Sequence, residues 1–443
     1  MRTGLIFLGL GLIGAFLLPS SGLASAATLT TILDFGPLFG TNPEGPLIAD
    51  SSGALFGTTP DPFPPSGGAV FKLTPNGDGT YSESVLHEFT GTPNDGGSPV
   101  GGLVMDASGA LYGTTEFGGS VGNGNGMACE GTGPPPGCGT VFKLTPNGDG
   151  SYSETLLHEF LGYPTDGSGP GSGLIIDASG ALYGTTSSGG SGGKAGGLAC
   201  GVPNPLALGC GTVFKLTPNG DGTYTESILH NFGRRPGDGT IPAGGLITDE
   251  TGALYGTTVI GVPGGGSQFG IVFRLSPRGD GRYRKSILHA FAGEDGAGPQ
   301  GQLLIDTATG VLYGTTTAGG HANMGTIFEL TPNSDGSYSE SVLHGFGASR
   351  RDGKQPQVGL VFAAKGALYG TTTAGGGSAD AGTVFKLKAD GTERVLHRFT
   401  GTDGGFPNGP LLPLAPGVFA GTTAFGGDIS ACNCGTVFEL TIR

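Results

Sequence analysis

Six histidines recur along the sequence in the motif Leu-His-x-Phe, and their side chains are the first candidates for chemistry. They are His87, His158, His230, His289, His344 and His397. A seventh copy, Leu33-Asp34-Phe35, has aspartate in place of histidine and lacks the spacer residue before phenylalanine. Imidazole and carboxylate groups bind metal ions and transfer protons. Because each belongs to a different repeated unit, the seven residues would lie too far apart to share one ion. We therefore predict a structural role for them, and the sequence assigns no catalytic residue, metal site or cofactor.

A second recurrent group is the aspartate of the motif Asp-Gly-x-x-Pro, which follows the histidine motif in six units. These residues are Asp95, Asp166, Asp238, Asp295, Asp352 and Asp403. If the units form a ring, the six carboxylates lie around one rim, where they could bind a cation or a polyol. Alternatively, each aspartate caps the backbone of a turn. The turn role is the simpler of the two, and the sequence leaves both open.

Polar residues that depart from the repeat are candidates for a ligand site. His321 is the one histidine outside the repeated motif. Arg234-Arg235 and Arg350-Arg351 lie in connections that we predict to share one face, where they could hold an acidic ligand. Ordinary solvated loop charge is the alternative explanation for the arginines. The predicted ligand-binding residues are therefore His321, Arg234, Arg235, Arg350 and Arg351.

The six cysteines fall into three close pairs. The pairs are Cys129 with Cys138, Cys200 with Cys210, and Cys432 with Cys434. An even number of cysteines in a chain with an export signal favours disulfides. A shared metal site is the alternative, but it would require all six to converge from loops that are not all adjacent. We predict three disulfides.

Three short motifs recur seven times in fixed order and define a repeated unit of roughly 50 to 70 residues. They are apolar-aromatic-Gly-Thr-Thr, Gly-x-(Val/Ile)-Phe and Leu-His-x-Phe, and a Gly-x-apolar run opens most units. Each motif is typical of a β-strand, and turn signals such as Asn76-Gly77-Asp78-Gly79 separate the strands. We name the four strands of a unit a to d. Four antiparallel strands in each of seven units predict an all-β, seven-bladed β-propeller.

The two ends of the repeat array predict how the ring closes. The array begins with a lone d strand, Thr28 to Phe35, and ends with a lone c strand, Gly435 to Thr441. Pairing the two strands completes the seventh unit and removes two exposed sheet edges. An open array would instead need atypical capping units, and the sequence has none.

The first 26 residues have the features of a signal peptide. Arg2 precedes an apolar stretch from Leu5 to Leu18, and Ala24-Ser25-Ala26 is a small-residue cleavage site. We predict Sec-type secretion, residues 27–443 as a single propeller, no membrane span after cleavage, and a monomer. A net charge of -14 argues against nucleic acid or an anionic membrane as the partner.

The combination of Tyr-Gly-Thr-Thr, Gly-Thr-Val-Phe-Lys-Leu and Leu-His-x-Phe motifs, spaced in this way, resembles the GloVer tandem-repeat family. Its members are exported bacterial proteins with varied C-terminal surface anchors. The resemblance covers nearly all of the mature chain, and it implies export without implying an activity. The sequence ends at Arg443 without an anchor helix or a basic tail, which favours free secretion over surface attachment.

From these observations we expect an exported, non-enzymatic binding or scaffold protein that recognises an extracellular glycan or a surface protein. The alternative is a glycan-active enzyme, a lyase or a hydrolase, with its site at the mouth of the central channel. Glycoside hydrolysis needs two carboxyl groups at a set separation. The alternative therefore requires non-repeated acid and base groups to converge at the channel mouth.

Overall fold

The computed structural model describes residues 27–36, 41–60, 67–91, 94–119, 137–192, 200, 209–235, 237–261, 268–363, 366–427 and 432–442. Seven four-stranded antiparallel sheets form the blades of a propeller, as predicted. In every blade the strands pair in the order a, b, c, d, and strand a lies next to the channel. The predicted signal peptide, residues 1–26, lies outside the described residues, and in the described part no helix is long and apolar enough to cross a membrane.

The strands have similar bounds in all blades, and each set runs from blade 1 to blade 7. Strands a are Ile48–Ala49, Val104–Met105, Ile175–Ile176, Ile247–Thr248, Leu304–Ile305, Val361–Phe362 and Leu412–Ala415. Strands b are Leu55–Thr59, Leu111–Thr115, Leu182–Thr186, Leu254–Thr258, Leu312–Thr316, Leu368–Thr372 and Val418–Thr423. Strands c are Ala69–Pro75, Thr140–Pro146, Thr212–Pro218, Ile271–Pro277, Thr326–Pro332, Thr383–Leu387 and Thr436–Ile442. Strands d are Tyr81–Glu88, Tyr152–Glu159, Tyr224–Asn231, Tyr283–Ala290, Tyr338–Gly345, Glu393–Arg398 and Ala27–Asp34.

Short two-residue strands tie the d–a connection to the b–c connection of the following blade. They pair Gly96–Gly97 with Phe117–Gly118, Gly167–Ser168 with Ser188–Gly189, and Gly353–Lys354 with Ala374–Gly375. The two sets of connections therefore share one face, as the sequence predicts.

The hydrophobic core lies between neighbouring blades, where aromatic side chains meet edge to face. Phe89, at the end of strand d in blade 1, contacts Phe142 of strand c in blade 2, with ring centroids 5.0 Å apart. The Tyr-Gly-Thr-Thr glycine makes room for the same ring, since a Cβ on Gly113 would lie 2.5 Å from Cζ of Phe142. The repeated glycine and phenylalanines are therefore explained by packing between blades.

The ring closes as predicted, with the N-terminal strand completing the last blade. Ala27–Asp34 pairs antiparallel with Thr436–Ile442. The strand order of this sheet is d, c, b, a, with the N-terminal strand as d. Phe35 is buried and contacts Phe71 of blade 1, with ring centroids 5.1 Å apart. The closing strand thus binds both to blade 7 and to its neighbour.

One detail of the seventh histidine motif is wrong in the sequence prediction. Leu33 pairs with Val437 in the way that His87 pairs with Val70, so Leu33 occupies the histidine position. Asp34 corresponds instead to Glu88, and the spacer is present. The reason is that Ile32, not Leu33, occupies the position of the motif leucine Leu86, so a match on residue type shifts the alignment by one position.

Candidate functional site

The mouth of the central channel is lined by one residue from each blade junction, at the position after the proline of the d–a connection. These residues are Glu44, Val100, Gly171, Ala243, Gln300, Gln357 and Asn408. Together with neighbouring glycines they enclose a cavity of about 250 Å³. The repeat builds this ring of positions, but the side chains differ around it, so the mouth is polar on one side.

Hydrogen bonds between blades hold the mouth in place. The Thr114 hydroxyl donates to the Ser172 carbonyl oxygen at 3.0 Å, and the Thr315 hydroxyl donates to the Val358 carbonyl oxygen at 3.0 Å. Blades approach so closely here that a Cβ on Gly101 would lie 2.7 Å from the Ser172 carbonyl oxygen. The first threonine of the Gly-Thr-Thr motif therefore positions the channel wall.

Two non-repeated carboxyl groups interact electrostatically beside this mouth. Glu44 lines the cavity from the connection between blades 7 and 1. Glu116 follows strand b of blade 2, where its amide donates to the Ser98 carbonyl oxygen at 3.0 Å. The equivalent positions hold no other acid: they are Pro60, Ser187, Val259, Thr317, Thr373 and Ala424. Both glutamates therefore depart from the repeat, and Glu44 is the one that lines the cavity.

Both carboxyl groups of the pair have raised pKa values. Burial raises the pKa of Glu44 above its usual range. Burial also raises the pKa of Glu116, and the nearby Glu44 carboxylate raises it further. The pKa of Glu116 is therefore raised by two causes and that of Glu44 by one. Such a pair can supply a general acid and a general base at the same site.

The ligand-binding residues predicted from the sequence lie elsewhere. His321 is exposed in the b–c connection of blade 5, and Arg350 and Arg351 are exposed in its d–a connection. Arg234 and Arg235 line a groove between the outer edges of blades 3 and 4. None of the five lines the cavity at the channel mouth. Their ligand-binding role stays a prediction.

The cysteines form disulfides where the structure describes them. Cys200 is bonded to Cys210, and Cys432 to Cys434. Cys138 is also disulfide-bonded, while its predicted partner, Cys129, lies outside the described residues. Disulfides persist in oxidising compartments, so they agree with an exported protein.

The repeated histidines contact the repeated aspartates. On sequence alone the two groups are considered separately. His289 and Asp295 are 2.9 Å apart, and His397 and Asp403 are also 2.9 Å apart. At four junctions a glutamate from strand d of the next blade completes a cluster whose ligand atoms lie within 4.8 Å of one another. The clusters are His87–Asp95–Glu154, His158–Asp166–Glu226, His289–Asp295–Glu340 and His344–Asp352–Glu393. We call them the junction triads.

The aspartates of the triads also cap the turn between strand d and the aspartate itself. This is the turn role that the sequence left open as one of two alternatives. Asp95 accepts hydrogen bonds from the Thr90 amide and hydroxyl at 2.7 and 2.8 Å. Between blades 3 and 4, Lys285 replaces the glutamate, and its ammonium lies 2.7 Å from Asp238. Histidine nitrogens and carboxylate oxygens are suitable ligands for Zn²⁺. The sequence assigns no metal site, and that assignment stays a prediction.

Burial sets the protonation of the triad glutamates. It raises the pKa of Glu154, Glu340 and Glu393 to about 7, and it raises the pKa of Glu226 in the same direction. The pKa of His87 is also raised: burial opposes this, but Asp95 and Glu154 outweigh it. Below about pH 7 these glutamates are therefore protonated, which removes one negative charge from each cluster.

We expect the melting temperature to fall between about pH 5 and about pH 9 because the triads lose protons. Unfolded glutamate ionises near pH 4.5, whereas folded Glu154 keeps its proton to about pH 7, so the folded state binds more protons in between. His87, with its raised pKa, contributes in the same direction. Differential scanning calorimetry of a Glu154→Gln, Glu226→Gln double variant should show a flatter decline. The exposed Glu250→Gln variant is the control, and an equal decline in all three proteins would contradict the prediction.

A ring of seven four-stranded sheets with a polar channel mouth defines the class of this protein as a β-propeller. Its repeat identifies the family. The chain belongs to the Gloeobacter/Verrucomicrobia repeat (GloVer) family, whose model matches residues 22–194 and 196–438. The resemblance noted in the sequence is thereby confirmed. Among curated proteins, none matches this sequence.

Solved propellers are similar to this chain at low sequence identity. The periplasmic gluconolactonase of Pseudomonas aeruginosa has a TM-score of 0.50 and 14% identity, over 88% of this chain and 96% of that one. The extracellular domain of a B. thetaiotaomicron protein described as a putative hybrid two-component system has a TM-score of 0.51 and 13% identity. The match covers 95% of this chain and 43% of that one. A Thermus thermophilus protein described as a putative glucose dehydrogenase has a TM-score of 0.40 and 19% identity. The match covers 84% of this chain and 99% of that one. At these identities the likeness shows the fold alone.

The expectation of a non-enzymatic binding or scaffold protein is wrong on these findings. The propeller of Pseudomonas aeruginosa, which matches most of this chain, is described as a gluconolactonase, and it supports no such role. The sequence missed the acid pair because Glu44 and Glu116 are 72 positions apart in numbering and lie in different connections. The alternative, an enzyme with its site at the channel mouth, stays a proposal.

Proposed function

We propose that this protein is an exported carbohydrate-active enzyme, a hydrolase or a lyase, with its site at the channel mouth. The observation that carries the proposal is the Glu44–Glu116 pair, two non-repeated carboxyl groups with raised pKa values in the same place. A repeated scaffold does not require either residue. Propeller folds host many functions, so the argument depends on the site.

The two glutamates take different roles in this proposal. Glu116 keeps its proton and donates it to the leaving oxygen of the bond that breaks. Glu44 ionises first and acts as the base, removing a proton from an attacking water in hydrolysis or from a carbon in elimination. Each proton transfer of this kind contributes about 10²- to 10⁴-fold to a rate.

The size and lining of the mouth support a small carbohydrate or the end of a glycan chain as substrate. A cavity of about 250 Å³ is below the usual range for drug-sized ligands. Gln300, Gln357 and Asn408 present amide groups at its rim, and amides both donate to and accept from sugar hydroxyls. The gluconolactonase of similar fold adds sugar lactones to the substrates worth testing.

The experiment is a turnover screen with the protein from residue 27 onward. Neutral oligosaccharides, uronate-containing oligosaccharides and gluconolactone are incubated with the protein. New reducing ends report hydrolysis, ultraviolet absorbance of an unsaturated product reports elimination, and proton release reports lactone opening. We expect turnover of at least one class. Absence of turnover on all of them, or equal turnover by a Glu116→Gln preparation, would reject the proposal.

A further inference from the structure

A basic groove lies between the outer edges of blades 3 and 4, away from the channel mouth. It has a volume of about 940 Å³ and is lined by the d strands of both blades and by the c–d hairpin of blade 4. Six cationic side chains line it, out of 21 lysines and arginines in a chain of net charge -14. They are Arg234, Arg235, Arg278, Arg282, Arg284 and Lys285. We call this feature the basic groove.

The arginines of the blade 4 hairpin replace residues that stabilise the same hairpin in other blades. In blade 1 the Asn76 side chain donates to the Thr80 hydroxyl at 2.8 Å, and the Ser82 hydroxyl donates to Asn76 at 2.8 Å. Blades 2, 3 and 5 have the same network. Blade 4 has Arg278, Arg282 and Arg284 at these three positions. Because the scaffold gives up these hydrogen bonds, folding does not explain the arginines.

The groove carries an excess of positive charge. The ammonium of Lys285 is neutralised by Asp238 at 2.7 Å. Arg282 lies 3.9 Å from Asp280, but both side chains are more than half exposed, so solvent screens the pair. In the described part of the chain, no carboxylate forms an ion pair with Arg278 or Arg284. The remaining cations are therefore available to a ligand.

We propose that the basic groove binds an acidic polysaccharide, one that carries carboxylate or sulfate groups along its chain. Cations occupy both ends of the groove: Arg234 and Arg235 follow strand d of blade 3, and Arg278 and Arg282 flank the c–d turn of blade 4. An eight-residue strand spans roughly 27 Å, so the charges match an extended polyanion better than a single small anion.

The apolar surface of the groove fits sugar rings. Ile287 lines it with 47% of its surface exposed, and the half-buried Tyr283 ring lies beside the arginines. Sugar rings have apolar faces that pack on such side chains, while their charged groups meet the guanidinium groups. Nucleic acid is the other polyanion that the cations could attract, so a DNA oligonucleotide is included in the test.

The test is equilibrium binding, measured by isothermal titration calorimetry with polygalacturonate, dextran sulfate and neutral dextran. We expect binding to at least one acidic polymer, weaker binding as salt concentration rises, and none to neutral dextran. Comparison of the two acidic polymers distinguishes carboxylate from sulfate recognition. The readout needs no turnover, so it stands or fails separately from the proposed enzyme activity.

Variants that restore the common repeat sequence provide the sharpest comparison. Arg278→Asn, Arg282→Thr and Arg284→Ser together recreate the hairpin of the other blades, so the triple variant should fold with an equal or higher melting temperature. We expect it to bind the acidic polymer about 10-fold more weakly or worse.

Two double variants that remove the same number of positive charges are compared next. Arg234→Ala with Arg235→Ala should weaken binding, whereas Arg350→Ala with Arg351→Ala, in the equivalent connection of blade 5, should not. Unchanged affinity in the hairpin variant, equal losses in the two double variants, or tighter binding to a DNA oligonucleotide than to either acidic polymer would overturn the proposal.

Discussion

Replacement of Glu116 by Gln is expected to reduce kcat of the proposed reaction by about 10²- to 10⁴-fold without changing the melting temperature appreciably. Glutamine keeps the size of the side chain but has no proton to donate to the leaving oxygen. Glu44→Gln should cause a loss of similar size because the base is removed. Steady-state kinetics on the substrate found in the turnover screen measure both effects.

The pH dependence separates the two roles. We expect a bell-shaped profile of kcat/KM, with the acidic limb set by ionisation of Glu44 and the alkaline limb by loss of the Glu116 proton. Both limbs should lie above the usual glutamate pKa of 4.5 because both pKa values are raised. The residual activity of Glu116→Gln should have no alkaline limb. The residual activity of Glu44→Gln should have no acidic limb.

The control for these variants is Glu294→Gln, an exposed acid in the d–a connection of blade 4 on the same face. It should retain full activity and an unchanged profile. Full activity in both Glu44→Gln and Glu116→Gln would exclude the pair as the acid and base. A profile that keeps both limbs in each variant would do the same.

Deletion of Thr28 to Phe35 is expected to destabilise the propeller by roughly 5 kcal/mol or more. The deletion removes six of the seven residues that pair with strand c of blade 7, and it takes away the buried Phe35. Burial of one phenylalanine contributes about 1.5–3 kcal/mol, and the strand also buries Leu29 and Leu33 in part. Since whole domains are stable by only about 5–15 kcal/mol, the shortened chain should melt at much lower temperature and aggregate through the open edge.

A synthetic peptide of residues 27–36 provides the matched control for the deletion. Added in trans it should restore part of the melting temperature and the monomeric state, whereas a scrambled peptide should not. The point variant Phe35→Ala should cost about 3–5 kcal/mol and keeps the backbone pairing. A shortened protein that is monomeric and melts like the parent would show that the strand does not close the ring.

The fold was predictable because three motifs recur in order and the array is interrupted within its first and last units. Sequence periodicity identifies which residues repeat, but not which repeated residues touch across blades. His87 and Glu154 belong to successive units, and only the ring brings them together. Alignment of the seventh motif failed at Leu33 because Ile32 replaces the motif leucine, and only the strand register shows which of the two residues is equivalent to it.

The candidate site was harder to predict because its two acids look ordinary in sequence. Glu44 follows a proline in a glycine-rich connection, and Glu116 follows two threonines of the repeat. A comparison of equivalent connection positions would have found both, since no other blade has an acid at either position. Function in this chain is therefore best sought in single-blade departures at positions that the ring places together.

The closing strand also determines when folding can finish. Ala27 pairs with Ile442, a contact that spans about 400 residues. At usual rates of synthesis the first strand waits roughly 20 to 80 s before its partner is made. Such a non-local pairing is slow to form because the loop it closes is so long. The threonines that alternate with apolar residues in this strand keep the waiting segment polar. Any chain that terminates early lacks the last strand, so ring closure distinguishes complete from incomplete chains.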